Sequence, residues 1–295
     1  MLLTVPEAAA RIAPHIRRTP LMRVTIDGRP LALKLEHLQL TGSFKLRGAT
    51  NALLSGPLPD LAVTASGGNH GMGVATAAQR LGIPARVHVP ATAPEAKLRR
   101  VRDLGAEVVA HEGGYADALA TALTEAEQPG VRFVHAYNDP AVIAGQSTIG
   151  AEIIEDAPDV DAVAVAVGGG GLVAGIASAI GDRTVVAVEP ENCSCFNAAL
   201  RAGGPVDSTV DSVAASALGA VRAGTLAYEA LHDRVVSLLV SDEEILAARD
   251  RLWEELRLAV EPAAAVPFAA WLAGRIPGEL PCIVLCGANS EWSPA

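Results

Sequence analysis

Three short stretches hold the residues that could do chemistry. The first is GSFKLRGA, in which Lys45 opens a helix-like run. The positive end of a helix dipole disfavours a protonated amine there. A surface lysine is the plain reading of Lys45; a neutral or covalently used amine is the chemical one. The second stretch is ASGGNHGMG, residues 65–73, which follows a strand-like run and opens a helix. Ser66, Gly67, Gly68 and Asn69 can present several backbone N–H groups to an anion such as a small carboxylate. A simple turn capped by the Asn69–His70 pair would look the same. The third is VAVGGGGLVAG, Val165 to Gly175, where an apolar strand runs into Gly168, Gly169, Gly170 and Gly171 and then a helix. Backbone without side chains can approach a phosphate closely, and the helix N-terminus adds N–H donors.

The third stretch also fits another chemistry. Gly169-x-Gly171-x-x-Ala174 matches the dinucleotide fingerprint with alanine in last place, and Glu189 stands where an acid would meet a ribose. A nicotinamide-dependent oxidoreductase is the competing reading. It leaves Lys45 and the SGGNHG stretch without a task.

The elements that must position these stretches alternate in kind from residue 61 onward. LAVTAS, ARVHVP, AEVVAHE, VRFVHAY, DAVAVAV, RTVVAVEP, RVVSLLV and PCIVLC read as strands. In ARVHVP, Ala85, Val87 and Val89 share one side. GMGVATAAQRLG sets Val74, Ala77, Ala78 and Leu81 on one helical face. EAKLRRVRDLG places Leu98, Val101 and Leu104 together and stops at Gly105. Ser241 and Glu244 form an S-x-x-E capping box before a long helix. Apolar strands alternating with helices imply an α/β fold whose parallel sheets are covered on both faces. The uncharged span between Asp161 and Asp182 approaches the length of a membrane helix, but its four glycines make it strand, turn and helix.

Composition narrows the function further. The chain has 295 residues, half of them hydrophobic, enough for one large or two medium domains. A net charge of −10 and the absence of any basic run argue against nucleic acid and anionic membranes as partners. The N-terminus lacks the basic start and apolar core of a secretory signal. Cys193, Cys195, Cys282 and Cys286 fit neither a disulfide framework nor a zinc ribbon, so a cytoplasmic protein with reduced thiols is expected.

Together the stretches GSFKLRGA, SGGNHG, GGGGLVAGI and CGAN, in that order, resemble the fold-type II pyridoxal-phosphate enzymes, and within them threonine/serine dehydratase and serine racemase. NDPAVIAGQSTIGAEI and VEPAAAVPFAAWL also resemble family segments, and the likeness runs from RRTPL at Arg17 to CGANS at Cys286. The resemblance implies two parallel-sheet domains of the tryptophan synthase β-like architecture, the smaller inserted in the larger. Residues 1–56 and 140–295 would form the large domain and 57–139 the small one, in a homodimer that acts on a small amino acid.

The roles that the resemblance implies are specific. Lys45 would carry pyridoxal 5'-phosphate as a Schiff base and then transfer protons. Phe44 would pack beside the ring, and Asn69 would bond its hydroxyl. Gly168, Gly169, Gly170 and Gly171, with Leu172, would cradle the phosphate, and Cys286 would sit beside the pyridine nitrogen. Ser66, Gly67, Gly68, Asn69 and His70 would shape the place of the substrate carboxylate. The activity implied is β-elimination of water and ammonia from L-threonine or L-serine, with amino-acid racemisation or dehydration of another β-substituted amino acid, such as hydroxyaspartate, as alternatives.

Four departures from the family pattern bear on that choice. Racemases of the family place a serine, as second proton carrier, where this chain has Gly67, which ranks dehydration first. Glu189 matches a family cation ligand, but Cys193 and Cys195 stand where oxygen ligands are needed, so no metal site is expected. Ser212 replaces a glycine in a region that lines the substrate side, which points to an altered substrate. The chain stops soon after CGANS, so a C-terminal regulatory domain is not expected.

Overall fold

The computed structural model describes residues 4–290. In chain order the elements begin with α1 (Val5–Ile12), β1 (Leu21–Ile26), β2 (Arg29–Lys34) and α2 (Lys45–Leu54). Next come β3 (Leu61–Ala65), α3 (Asn69–Leu81), β4 (Ala85–Pro90), α4 (Glu95–Asp103), β5 (Glu107–His111), α5 (Gly114–Glu125) and β6 (Val131–Phe133). The chain continues through α6 (Pro140–Asp156), β7 (Ala162–Ala166), α7 (Gly171–Ala177), β8 (Thr184–Pro190), α8 (Cys195–Ala202), α9 (Ala215–Leu218) and α10 (Thr225–Leu231). It closes with β9 (Val235–Val240), α11 (Asp242–Leu256), α12 (Pro262–Leu272) and β10 (Pro281–Val284).

These strands form two sheets, in the orders β1-β2-β10-β7-β8-β9 and β5-β4-β3-β6. Every pair is parallel except β1 with β2. That hairpin turns on Asp27 and Gly28, at φ 52° and 73°. Asp-Gly is the strongest short hairpin signal, because both central residues must take positive φ. Parallel strands lie between helix layers, so they need no polar face, and β7 is apolar and buried at all five positions. The span from Asp161 to Asp182 is indeed strand, turn and helix. No helix among the described residues is long and apolar enough to cross a membrane.

Two cores correspond to the two sheets. The larger joins β2, β7, β8 and β10 to α7, α11 and α12. The smaller packs Val87, Val89 and Val101 with Leu46, Ala49 and Leu53 of α2 and Val142 of α6. Helices α2 and α6 fall outside residues 57–139, so the packing of the four-stranded sheet reaches beyond that segment. The capping box forms as expected: Ser241 Oγ accepts from Glu244 N at 3.2 Å, and Glu244 Oε2 accepts from Ser241 N at 2.8 Å.

One strand carries a buried polar ring and one strand expectation changes. His88 in β4 is buried. Its Nε2 meets Glu125 and its Nδ1 meets His111 Nε2, both at 2.9 Å, and these partners offset the cost of burying the ring. The strand expected in VRFVHAY ends at Phe133. His135 Nδ1 accepts the N–H groups of Tyr137 and Asn138 at 3.1 and 2.9 Å, which folds the chain into a turn instead.

Candidate active site

Lys45 owes its place to three anchors. The segment before it pairs with the chain beyond β10: Phe44 N donates to Cys286 O at 3.1 Å, and Ala288 N to Gly42 O at 2.9 Å. Helix α2 crosses α6 so closely that a Cβ on Gly145 would lie 2.7 Å from Gly48 Cα. Two residues along, Arg47 is wholly buried and binds two carboxylates. Its guanidinium donates to Glu36 at 2.8 and 2.9 Å and to Glu152 at 2.7 and 2.8 Å, and Lys34 donates to Glu152 at 2.6 Å. Two buried cations thus face two buried anions, which lets helix α2 carry charge into the interior.

A cavity of about 360 Å³ opens at this point. Ala65, Pro90, Ala166 and Cys286, at or just past the C-terminal ends of β3, β4, β7 and β10, contribute to its lining. Ligands of open parallel sheets bind at that end of the strands. Lys45 Nζ donates to Ala136 O at 2.9 Å and lies 5.0 Å from the centre of the Phe44 ring. Burial lowers its pKa to about 8, against the smaller pull of Cys286 and Glu261. Ionisation of Lys45 is therefore incomplete at mildly alkaline pH.

The glycine stretch forms another part of the lining. Gly170 has φ +92° and caps α7, a conformation that a side chain would strain. A Cβ on Gly169 would lie 2.3 Å from the Tyr137 ring. The carbonyl of Gly169 accepts from Gly224 N at 2.9 Å, which fixes the turn. The first N–H groups of α7 have no partner within the helix and suit an anion.

Asn69 begins α3, and its side chain is held from two sides. Its Nδ2 donates to Glu261 Oε1 at 2.8 Å, and its Oδ1 accepts from Asn289 Nδ2 at 2.9 Å. Sequence reasoning left Glu261 and Asn289 without a role, as it did the lining residues Tyr115, Tyr137 and Val221. Glu261 and Asn289 lie in family-like segments, VEPAAAV and CGANS, and neither has a spacing that marks it. Glu261 is buried in the cavity lining, and burial raises its pKa to about 7.

The other expected site residues divide. Ser66, Gly67, Gly68, His70, Leu172 and Cys286 all line the cavity. Burial pushes the Cys286 thiol pKa up, so the thiol stays neutral. His70, however, offers no donor to a carboxylate. Its Nε2 donates to Val134 O at 2.9 Å, and its Nδ1 is buried without a partner in the described protein. Burial and nearby Lys45 lower its pKa to about 3, so Nδ1 is an acceptor. Gly67 also differs from expectation: a Cβ there would meet Leu98 and Val89 at 3.3 Å, and neither residue lines the cavity.

Four further residues that the sequence singled out lie outside the cavity lining. Ser212 donates to Asp242 Oδ1 at 2.5 Å, at the start of α11, and is not part of the lining; residues 215–221 are. Glu189 is fully buried and accepts from Phe196 N and Asn197 N at 2.8 and 2.7 Å. Its carboxylate caps α8, which leaves it unable to reach a ribose. Cys193 and Cys195 are buried with their thiols on the carbonyls of Leu218 and Gly168. No group of three metal-ligating side chains occurs among the described residues.

A half-buried lysine, a glycine turn packed too closely for side chains, and a neutral thiol in one cavity define the class. The sequence matches the family of pyridoxal-phosphate dependent enzymes over residues 12–287, and the chain belongs to that family. It is 39% identical to an L-threonine ammonia-lyase of Geobacter sulfurreducens, over 97% of this chain and 75% of the relative. It is 38% identical to a phenylserine dehydratase of Ralstonia pickettii, over 96% and 91%. The solved structure of the T.th. threonine deaminase superposes with a TM-score of 0.91 at 36% identity, covering 98% of each chain. The cofactor is pyridoxal phosphate, and the oxidoreductase reading falls.

Proposed function

We propose that this enzyme removes water and ammonia from a β-hydroxy amino acid, converting L-threonine to 2-oxobutanoate and L-serine to pyruvate. The observation that carries this reading is the Lys45 amine, half-buried and incompletely ionised at mildly alkaline pH, in one cavity with the glycine turn. Pyridoxal phosphate, when bound, supplies an electron sink that makes the amino acid's Cα–H acidic. Gly168 to Gly171 and Leu172 would hold its phosphate, Phe44 would pack beside its ring, and Asn69, fixed by Glu261 and Asn289, would meet its hydroxyl.

The protein's own groups then decide the course of the reaction. Lys45 takes the Cα proton as general base, its amine oriented by the Ala136 carbonyl. Backbone N–H groups of residues 66–69 would receive the substrate carboxylate, since His70 can only accept. Cys286 puts a neutral thiol near the ring nitrogen. A thiol there makes a weaker sink than a carboxylate would, which suits a reaction whose β-group departs as the proton leaves. Racemisation needs a second proton carrier opposite Lys45. A side chain at Gly67 would point to Leu98 and Val89, so this conformation gives that position no such role.

The same reading places the enzyme in the cytoplasm as a homodimer, with residues 57–139 as a smaller unit beside the rest. Its four cysteines are free and buried, in keeping with a reducing compartment. Borohydride reduction of the yellow protein followed by peptide mapping should find the cofactor on Lys45. Lys45→Ala should stay folded and lose keto-acid release; retained turnover, or label on another residue, would remove Lys45 from its role.

A further inference from the structure

The proposed reaction leaves the second substituent on the substrate Cβ undefined, and the cavity wall speaks to it. Among the lining residues, the ionisable groups other than tyrosine are Lys45, His70, Glu261 and Cys286, and Lys45 is the one cationic side chain. The lining drawn from the end of β4, the start of α5 and residues 215–221 is largely apolar, with Pro90, Tyr115, Leu218 and Val221 its larger members. Arg222, next in the chain to Val221, is drawn off by Asp207 at 2.7 Å and is not part of the lining.

Tyr115 and Val221 are unusual in a second way. They are 54% and 56% exposed, among the few large apolar side chains left in solvent, and both stand on this cavity. They reach it from different parts of the fold, Tyr115 from α5 beside the four-stranded sheet and Val221 from the loop between α9 and α10. Both are open to a ligand held in the cavity. An alkyl or aryl group would gain by burial there. A second carboxylate would lose water there, and the one cation among the lining residues, Lys45, is engaged in the Cα chemistry.

We propose that Tyr115 and Val221 are specificity-determining residues, which select β-hydroxy amino acids with an apolar group on Cβ and reject those with a second carboxylate. This rests on the β-elimination reading above and sets hydroxyaspartate aside as a substrate. The test is keto-acid release by the holoenzyme from L-threonine, 3-hydroxyleucine, 3-phenylserine and 3-hydroxyaspartate. The apolar pair should match or exceed threonine in kcat/KM, and 3-hydroxyaspartate should fall about 100-fold or more below it, the scale of discrimination set by an unpaired polar group. Tyr115→Arg and Val221→Arg, both at exposed positions, should each raise 3-hydroxyaspartate turnover relative to 3-phenylserine at least tenfold. Equal turnover of 3-hydroxyaspartate by the unaltered enzyme, or no change of ratio in either variant, would overturn the assignment. Threonine turnover reads the chemistry separately. Should none of the four react, the β-elimination reading falls, and thermal shift of the holoenzyme then reads the pocket. Stabilisation by L-phenylalanine above L-aspartate would support the apolar wall, and the reverse or equality would sink it.

Discussion

Glu261 offers a measurement in which one buried proton is followed through folding. Its carboxyl is 3% exposed, and burial moves its pKa from 4.5 to about 7. Between those values the folded protein holds a proton that the unfolded chain has released. Stability from this group is therefore full below pH 4.5 and is lost as pH rises through 7. At about 1.36 kcal/mol per pH unit, the displacement corresponds to roughly 3 kcal/mol. Glu261→Gln keeps an oxygen for Asn69 Nδ2 but cannot ionise. In the cofactor-free protein, urea unfolding of both forms at pH 4.5, 6, 7 and 8 should show the variant gaining on the wild type by about 3 kcal/mol across the series, with a plateau above pH 7. The difference cancels other titrating groups, including Glu189, which burial raises to about 8. A difference independent of pH would mean that the Glu261 carboxyl is solvated or paired in the folded protein, and Asn69 would then be held in some other way.

Two further outcomes test the framework. Arg47→Met strips the guanidinium from Glu36 and Glu152, both buried, and leaves Lys34 as the remaining cation; urea unfolding should show a loss of about 3–5 kcal/mol, and a loss under about 1 kcal/mol would contradict the buried network. Gly169→Ala drives a methyl into the Tyr137 ring and should cost about 1–3 kcal/mol and weaken binding of pyridoxal phosphate in an absorbance titration, whereas Gly204→Ala, with nothing within 4 Å, should change neither. If the two variants behave alike, the glycine turn does not owe its composition to the space around it.

Much of the architecture was legible because it is written in local signals. The apolar runs of β3, β7 and β8, the capping box before α11 and the glycine turn before α7 each declare themselves within a dozen residues. Hairpin β1–β2 carried its signal too, in Asp27–Gly28, but lay before the region where alternation begins. The burial of His88 was not legible, because the partners on β5 and α5 that satisfy its ring lie far along the chain. Glu189 looked like a ribose ligand at the right distance along the chain. The fold instead sets its carboxylate on the N-terminus of α8.

The sequence alone determined the types of most elements and the family, and it singled out Lys45 as the candidate amine, because each rests on short-range backbone preference or on a motif whose chemistry is local. Tertiary structure decided which groups surround that amine. Glu261 and Asn289 meet Asn69 across 192 and 220 residues of chain, and Tyr115 reaches the same cavity as Val221 from the far side of the sequence. Burial, which sets the ionisation of Lys45 and Glu261, depends on everything packed around a group, and no spacing along one chain records that.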